Sequence, residues 1–77
     1  MSEDPPAEIP PERRLFAERM LAARQRAGLT QVQLAAAAGL TQPHISQLES
    51  GALEPKLSTI VAIAKALDIP VAALTDP

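Results

Sequence analysis

Few side chains of this 77-residue chain are able to carry out covalent or metal chemistry. The chain has no cysteine and a single histidine, His44, so it offers neither a thiolate nucleophile nor a multi-histidine metal site. It also has no tyrosine, no glycine-rich phosphate loop and no pair of carboxylates in a plausible pocket. The sequence therefore predicts a chain that is not an enzyme and that uses no cofactor or metal, which leaves binding as the chemistry to look for.

The charges are distributed unevenly along the chain. The net charge is -2, but four of the nine acidic residues lie within the first dozen positions. Residues 13–77 consequently carry seven Lys or Arg against five Asp or Glu, and are mildly basic. A mixed surface charge is common in soluble domains, so only clustering of the basic residues on one face would indicate a nucleic-acid partner.

The length and the distribution of apolar residues limit size and location. A chain this short forms one domain at most and builds one modest core. The N-terminus lacks a basic region followed by an apolar run, and no stretch of about 18 apolar residues occurs, so neither a signal peptide nor a membrane span is predicted. The absence of cysteine suits a reducing compartment. We expect a soluble, cytoplasmic protein.

The chain divides at about residue 12. Residues 1–11 contain four of the eight prolines together with acidic residues, and we predict that they form a disordered tail. Residues 12–77 then make up the folded domain. From Glu12 onward, apolar residues recur at intervals of three and four, which predicts a first helix that Gly28 ends.

Capping residues mark the next two helices. Thr30 followed three residues later by Gln33 is a capping-box pattern, which predicts a second helix over residues 31–38. Thr41 is a natural N-cap, and Pro43 fits a first helical turn because that turn has no intrahelical partner for the missing N–H. These residues predict a third helix over residues 42–49.

The remaining apolar residues predict two more helices. After a loop over residues 51–55, a helical stripe is formed by Leu57, Ile60, Ile63, Ala64 and Leu67. Pro70 opens a short last helix that carries Val71 and Leu74. No segment alternates with a period of two, and there is no internal repeat. The predicted fold is all-α, a compact bundle of five helices with Leu34, Ile45, Leu48, Ile60 and Leu67 in its core.

The second and third predicted helices are separated only by Gly39, Leu40 and Thr41. Two short helices joined by a three-residue turn that contains glycine have the geometry of a helix-turn-helix. In that motif the second helix projects as a ridge that fits the major groove of DNA. The spacing by itself is a weak signal, so the residue types must carry the assignment.

The residue types resemble those of a known family. The stretch GLTQVQLAAAAGLTQPHISQLESG, residues 28–51, resembles the Cro and phage-repressor type of helix-turn-helix. The similarity continues through RQRAG upstream and EPKLSTIVAIAKALDIPVAAL downstream, so that it covers about residues 15–74. It implies a lambda repressor-like fold and a sequence-specific, double-stranded DNA-binding transcriptional regulator, most simply a repressor.

The resemblance also implies which residues read bases. Gln42 matches the first glutamine of the recognition helix, whose amide offers a donor and an acceptor side by side, as adenine N7 and N6 require. Gln47 matches a second outward position. Pro43 replaces a polar residue of many relatives; it either reads thymine methyl groups or simply starts the helix. His44 is a further base or phosphate candidate, although a histidine here is more often an ordinary surface residue.

Phosphate contacts follow from the same resemblance. Gln31 matches a glutamine that bonds a DNA phosphate and braces Gln42. Ser46 and Lys56 are further phosphate candidates, as are backbone N–H groups near two residues, Ser50 and Gly51.

Arg24 and Glu49 match an internal ion pair in some relatives. This pair would tie the first helix to the recognition helix, and we assign it to architecture.

We expect a homodimer that binds a roughly palindromic operator with half-sites about one helical turn apart. Ile69, Val71 and Leu74 are the predicted apolar surface for this dimer. The alternative is an antitoxin or protein-interaction module that uses the same fold to hold a partner such as a toxin. Single-stranded nucleic acid is disfavoured because stacking needs aromatic side chains and Phe16 is the only one.

Overall fold

The computed structural model describes residues 9–77, and this part of the chain contains five α-helices. They are α1 (Pro11–Arg26), α2 (Gln31–Ala38), α3 (Gln42–Glu49), α4 (Leu57–Leu67) and α5 (Ala72–Thr75). These residues contain no β-strand. The predicted all-α, five-helix fold is confirmed. None of these helices combines the length and apolarity that crossing a lipid bilayer requires.

The caps that the sequence predicts for α2 and α3 are formed. The Gln33 backbone N–H donates to Thr30 Oγ1 at 3.1 Å, and the Thr30 backbone N–H donates in return to Gln33 Oε1 at 2.9 Å. The His44 backbone N–H donates to Thr41 Oγ1 at 3.3 Å, and Pro43 lies in the first turn of α3. Because each cap satisfies a backbone donor that a helix start leaves free, both helices begin where predicted.

Gly39 ends α2 in the left-handed conformation, with φ 71°. The Leu40 N–H then donates to Ala35 O at 2.8 Å, which closes the chain back onto the end of α2. A residue with a Cβ is strained at this φ, so glycine suits the position. The turn therefore starts from a hydrogen-bonded geometry, and this geometry sets the direction in which α3 leaves α2.

The core is a single apolar cluster to which all five helices contribute. Six large side chains in it are fully buried, namely Met20, Leu34, Ile45, Leu48, Ile63 and Leu74. Of the predicted core residues, Leu67 is also buried and Ile60 is half-buried against the cluster. Leu57 belongs to the predicted apolar stripe of this helix but is 71% exposed. It is the first residue of α4, and α4 meets the core further along its length.

The C-terminal apolar residues are used inside the fold. Leu74 is completely buried, and Ile69 and Val71 pack against the core cluster. The short helix α5 folds back on α1, where Arg19 Nη1 donates to Ala73 O at 3.2 Å. Leu74 is therefore not available to the predicted dimer surface, whereas Ile69 and Val71 are half-buried and keep only part of their surface for it.

The predicted tail over residues 1–11 lies mostly outside the described residues, which begin at Ile9. Within them, α1 starts at Pro11, one residue before the predicted boundary. Ile9 is half-buried and lies directly over Gly51; a Cβ added to Gly51 would meet Ile9 Cδ1 at 3.0 Å. The residues just before α1 thus contact the turn that follows α3.

Candidate nucleic-acid interface

Helix α3 has one buried face and one exposed face. Successive residues of an α-helix are about 100° apart, so Ile45 and Leu48 point the same way, and both are fully buried. Pro43 and Gln47 lie four residues apart on the opposite face, and both are exposed. Ser46 lies beside them, on the side of Gln42, and is half-buried. The outward ridge of α3, defined here by Pro43, Ser46 and Gln47, is thus free to meet a ligand.

Gln42 lies on the flank of α3 that faces α2. Its Nε2 donates a hydrogen bond to Gln31 Oε1 at 2.7 Å. Gln31 is the first residue of α2, and its own Nε2 donates to Glu49 Oε1 at 3.0 Å. The contact between the two glutamines that the family resemblance implies is therefore present. Gln31 keeps one N–H hydrogen for a further acceptor, because an amide nitrogen carries two.

Arg24 and Glu49 form the predicted ion pair. Arg24 Nε donates to Glu49 Oε2 at 2.6 Å, and Nη2 donates to Glu49 Oε1 at 3.0 Å. Arg24 Nη1 also donates to Leu29 O at 2.8 Å, just before α2. The two side chains are 13% and 5% exposed. The pair therefore ties α1 to the last residue of α3 in surroundings that are largely free of water.

The hydrogen bond to Glu49 raises the pKa of Arg24 above its ordinary value and outweighs burial, which acts in the opposite direction. A raised pKa means that the stabilisation is fully present below the unfolded-state pKa and is lost only as the pH rises through the still higher folded-state pKa. The charge on Arg24 is thus maintained at every pH near neutrality.

Gln42 keeps hydrogen-bonding capacity toward solvent. After its bond to Gln31, one amide N–H and the Oε1 atom make no hydrogen bond within residues 9–77. A free donor beside a free acceptor is the pattern that complements adenine N7 and N6 in the major groove. Gln42 is half-buried, so this amide is held at the edge of the ridge.

The other predicted contact residues are placed around this ridge. His44 is half-buried on the flank of α3 opposite Gln42. Lys56 is exposed and immediately precedes α4, where its side chain caps no backbone group. Ser50 is exposed, but its Oγ donates to Gln47 O at 3.0 Å and accepts from the Ala52 N–H at 3.3 Å.

The backbone N–H groups of Ser50 and Gly51, near which a phosphate contact is predicted, donate hydrogen bonds within the protein. The Ser50 N–H donates to Ser46 O at 3.0 Å, and the Gly51 N–H donates to Leu48 O at 3.2 Å. Gly51 is also buried, with Ile9 over it. The last turn of α3 therefore satisfies these two donors itself, and the prediction that backbone N–H groups near them bind a phosphate stays a prediction.

The bond between Gln31 and Glu49 is the site contact that sequence reasoning missed. The sequence predicts a DNA phosphate contact for Gln31 and a structural ion pair for Glu49, which lies 18 positions further along the chain. No spacing in the sequence brings these two residues together. Their contact depends on the angle between α2 and α3, which the turn through Gly39 sets.

Comparison with known proteins bears on this arrangement. A family model described as Helix-turn-helix matches residues 20–74. The chain belongs to the helix-turn-helix family. Its resemblance to the Cro and phage-repressor type is confirmed, since relatives and structures with repressor names are among the matches.

Curated relatives share the helical region. The chain is 46% identical over 52 residues to the uncharacterized HTH-type transcriptional regulator y4dL of Sinorhizobium fredii, which covers 68% of this chain and 26% of the relative. It is 42% identical over 57 residues to the immunity repressor protein of Bacillus phage phi105, a match that covers 74% of this chain and 40% of the relative. It is 39% identical over 57 residues to antitoxin HigA1 of Mycobacterium tuberculosis, a match that covers 74% of this chain and 38% of the relative. The chain thus matches less than half of each relative's length.

Solved structures share the fold. The restriction-modification controller protein C.AhdI from Aeromonas hydrophila has a TM-score of 0.79 and 32% identity, covering 80% of this chain and 94% of that one. The P22 c2 repressor protein, in complex with synthetic operator 9T, has a TM-score of 0.74 and 30% identity, and the match covers 79% of this chain and 92% of that one. Nearly the whole of each of these neighbours therefore superposes on this chain.

Removing one charge of the ion pair should destabilise the fold strongly. We expect Arg24→Met to lower the free energy of unfolding by about 3 to 5 kcal/mol, because it leaves the Glu49 carboxylate buried without its cation. The double variant Arg24→Met/Glu49→Leu should recover much of this loss. Urea unfolding followed by circular dichroism measures both.

Glu18→Ala, which removes an exposed carboxylate of α1, is the matched control and should change stability by less than about 0.5 kcal/mol. An Arg24→Met variant as stable as this control would show that the pair does not hold the helices together.

Proposed function

We propose that this chain is a sequence-specific double-stranded DNA-binding transcriptional regulator that reads the major groove with α3 and acts as a repressor. The observation that carries the proposal is the amide of Gln42, which Gln31 holds at 2.7 Å while a donor and an acceptor stay free. Such an amide complements adenine, whose major-groove edge presents one acceptor and one donor.

The outward ridge of α3 extends this contact along the groove. Gln47 lies on the exposed face and carries a second amide, so it is the next base-reading candidate. Pro43 is exposed but has no side-chain donor or acceptor, so it contributes apolar contact to a thymine methyl group. His44 and Ser46 flank these residues and are assigned to base or phosphate contacts at the edge of the helix.

Phosphate contacts hold the ridge in register. Gln31 has one amide hydrogen left after its bond to Glu49, and we assign it to a backbone phosphate near the adenine that Gln42 reads. Lys56 is the only Lys or Arg in residues 27–64, so it supplies the positive charge closest in sequence to the ridge. The Ser50 side chain remains an accessory contact.

The repressor assignment rests on relatives. The immunity repressor protein of Bacillus phage phi105 and the P22 c2 repressor protein both align with most of this chain. A small DNA-binding domain represses most simply by occupying an operator. This activity requires contact with DNA, which supports a cytoplasmic location in a bacterial or phage system.

We further propose that the chain binds its operator as a homodimer. The large apolar side chains exposed in residues 9–77 are Val32, Leu53 and Leu57. Leu53 and Leu57 lie in and just after the loop that follows α3. A two-fold axis beside them would bury both patches together and place two recognition helices side by side, as a palindromic operator requires.

An antitoxin role is the second candidate. The similarity to antitoxin HigA1 favours it. In that role a toxin or another protein partner would bind the chain, and the regulator function would depend on that partner. A partner-binding module would not need the free donor and acceptor of Gln42, so DNA selection separates the two candidates.

Gln42→Ala should relax base preference at one position of the bound sequence. The loss of a bidentate amide contact costs about 1 to 3 kcal/mol of discrimination there. Selection from a random duplex pool, with wild type and variant in parallel, measures it. Gln25→Ala, which removes an exposed glutamine of α1, should leave the selected motif unchanged. Failure of the wild-type chain to select any motif would refute the proposed function.

Lys56→Ala should weaken binding to all duplexes by a similar factor. It should also make the dependence of log K on log salt shallower by about one unit for each bound subunit, because one phosphate contact fewer releases one counterion fewer. Titration at several salt concentrations measures this slope. Lys65→Ala is the control, since this exposed lysine lies in the last turn of α4. Equal slopes of log K against log salt for the two variants would show that Lys56 does not contact DNA.

Leu57→Asp should shift the chain toward monomer. A carboxylate on the proposed dimer patch would be desolvated on association, whereas in the monomer the position is 71% exposed and tolerates a charge. Sedimentation equilibrium at several concentrations measures the shift. Val32→Asp, at another exposed apolar position on α2, is the control. Identical association of the two variants would place the dimer contact elsewhere.

A further inference from the structure

Four side chains form a continuous hydrogen-bond relay from the first helix to the recognition helix. Arg24 donates to Glu49, Gln31 donates to Glu49 at 3.0 Å, and Gln42 donates to Gln31 at 2.7 Å. The relay joins α1, α2 and α3, and it ends at the amide that is proposed to read a base. We call it the Arg24–Gln42 relay.

The relay has a direction because one of its members only accepts. An ionised carboxylate has acceptor atoms and no donor, so Gln31 must present its Nε2 to Glu49. The Gln31 Oε1 atom is then the one that faces Gln42. Gln42 must in turn present its Nε2, since two amide oxygens would repel each other. The orientation of the Gln42 amide is therefore fixed by Glu49, which lies two hydrogen bonds away along the relay.

Arg24 holds Glu49 in this role. Its Nε and Nη2 donors engage both carboxylate oxygens, and its Nη1 is anchored on Leu29 O at 2.8 Å. With 5% of its side chain exposed, Glu49 has little water to supply an alternative partner for Gln31. Reversing the relay would place an oxygen of Gln31 against an oxygen of Glu49 in this dry environment.

We propose that Glu49 is a specificity-determining residue that acts through Gln31: it fixes the amide orientation of Gln42 and so selects adenine over guanine at the contacted base pair. This inference rests on the proposed function. Glu49 does not touch DNA in this account, so it is a positioning residue. Gln42 remains the residue that contacts the base.

The choice of base follows from the atoms that the relay leaves free. In the observed orientation Gln42 offers one N–H and one oxygen, which match the acceptor N7 and the donor N6 of adenine. In the reversed orientation the oxygen would accept from Gln31 and both N–H groups would be free. Two donors match guanine, which presents the acceptors N7 and O6.

Glu49→Gln tests the proposal with little change in shape. The new side chain has one oxygen in place of two, so it cannot accept from Arg24 Nε, Arg24 Nη2 and Gln31 Nε2 together, and the orientation in which its nitrogen faces Gln31 becomes available. That nitrogen donates, so Gln31 and Gln42 reverse. The measured quantity is the ratio of affinities for two duplexes that differ by adenine or guanine at the position where Gln42→Ala loses preference. We expect the ratio to fall by about 5-fold or more, the lower end of bidentate discrimination.

A second variant covers the possibility that Glu49→Gln folds poorly. Gln31→Leu cuts the relay in the middle and leaves the Arg24–Glu49 ion pair intact, and it should also bring the adenine-to-guanine ratio toward one. Ile63→Val is the matched control: it weakens a fully buried core position away from the relay and should leave the ratio unchanged. Circular dichroism checks that each variant is folded.

The outcomes separate the two proposals. A wild-type chain that binds no duplex overturns the proposed function and this inference together. A wild-type chain that prefers adenine, with folded relay variants that keep the same ratio, overturns the inference alone. Equal loss of affinity for both duplexes would also overturn it, because a merely structural role weakens binding without changing base preference.

Discussion

The contact on which the rest of this structure depends is the ion pair between Arg24 and Glu49. It joins the end of α1 to the end of α3, and Gln31 connects it to the start of α2. Hydrophobic burial holds the same three helices together, but apolar contacts do not distinguish one rotation of a helix from another as sharply as directed hydrogen bonds do. A pair of charges taken out of water must keep its partners, so the arrangement of the three helices is restricted to one that satisfies all of them.

The same pair explains how a helix without Lys or Arg is suited to recognition. No Lys or Arg occurs between Arg26 and Lys56, and the outward ridge of α3 carries an amide, a hydroxyl and a proline ring. Affinity for phosphates therefore has to come from residues at the margins of the motif. The ridge itself contributes hydrogen-bond pattern, and this pattern is useful only when the amides have a defined orientation. In the proposed relay, the buried Arg24–Glu49 pair sets this orientation through Gln31.

Apolar surface is divided between core and exterior in a way that the helical stripes alone do not reveal. Leu57 and Leu74 both continue apolar periodicities, yet one is 71% exposed and the other is fully buried. Leu74 is covered because the short α5 folds back on α1, whereas Leu57 lies at the end of α4 that extends past the core. A small domain has enough interior for only part of its apolar residues. Which residues remain outside is a consequence of where each helix crosses the others.

The sequence by itself determined the helices and the motif. Thr30, Gln33, Thr41 and Pro43 act on their own neighbours, and Gly39 supplies a left-handed residue, so α2, α3 and the turn between them follow from contacts within a few positions. The Arg24–Glu49 pair and the Gln31–Gln42 contact were predicted from the resemblance to the Cro and phage-repressor type.

Only the tertiary structure decided that these two pairs form one relay, that the N–H of Gly51 is already used, and that Leu74 is interior. Each of these depends on the angle at which one helix meets another. Such an angle results from the packing of the whole core, and no local stretch of sequence encodes it.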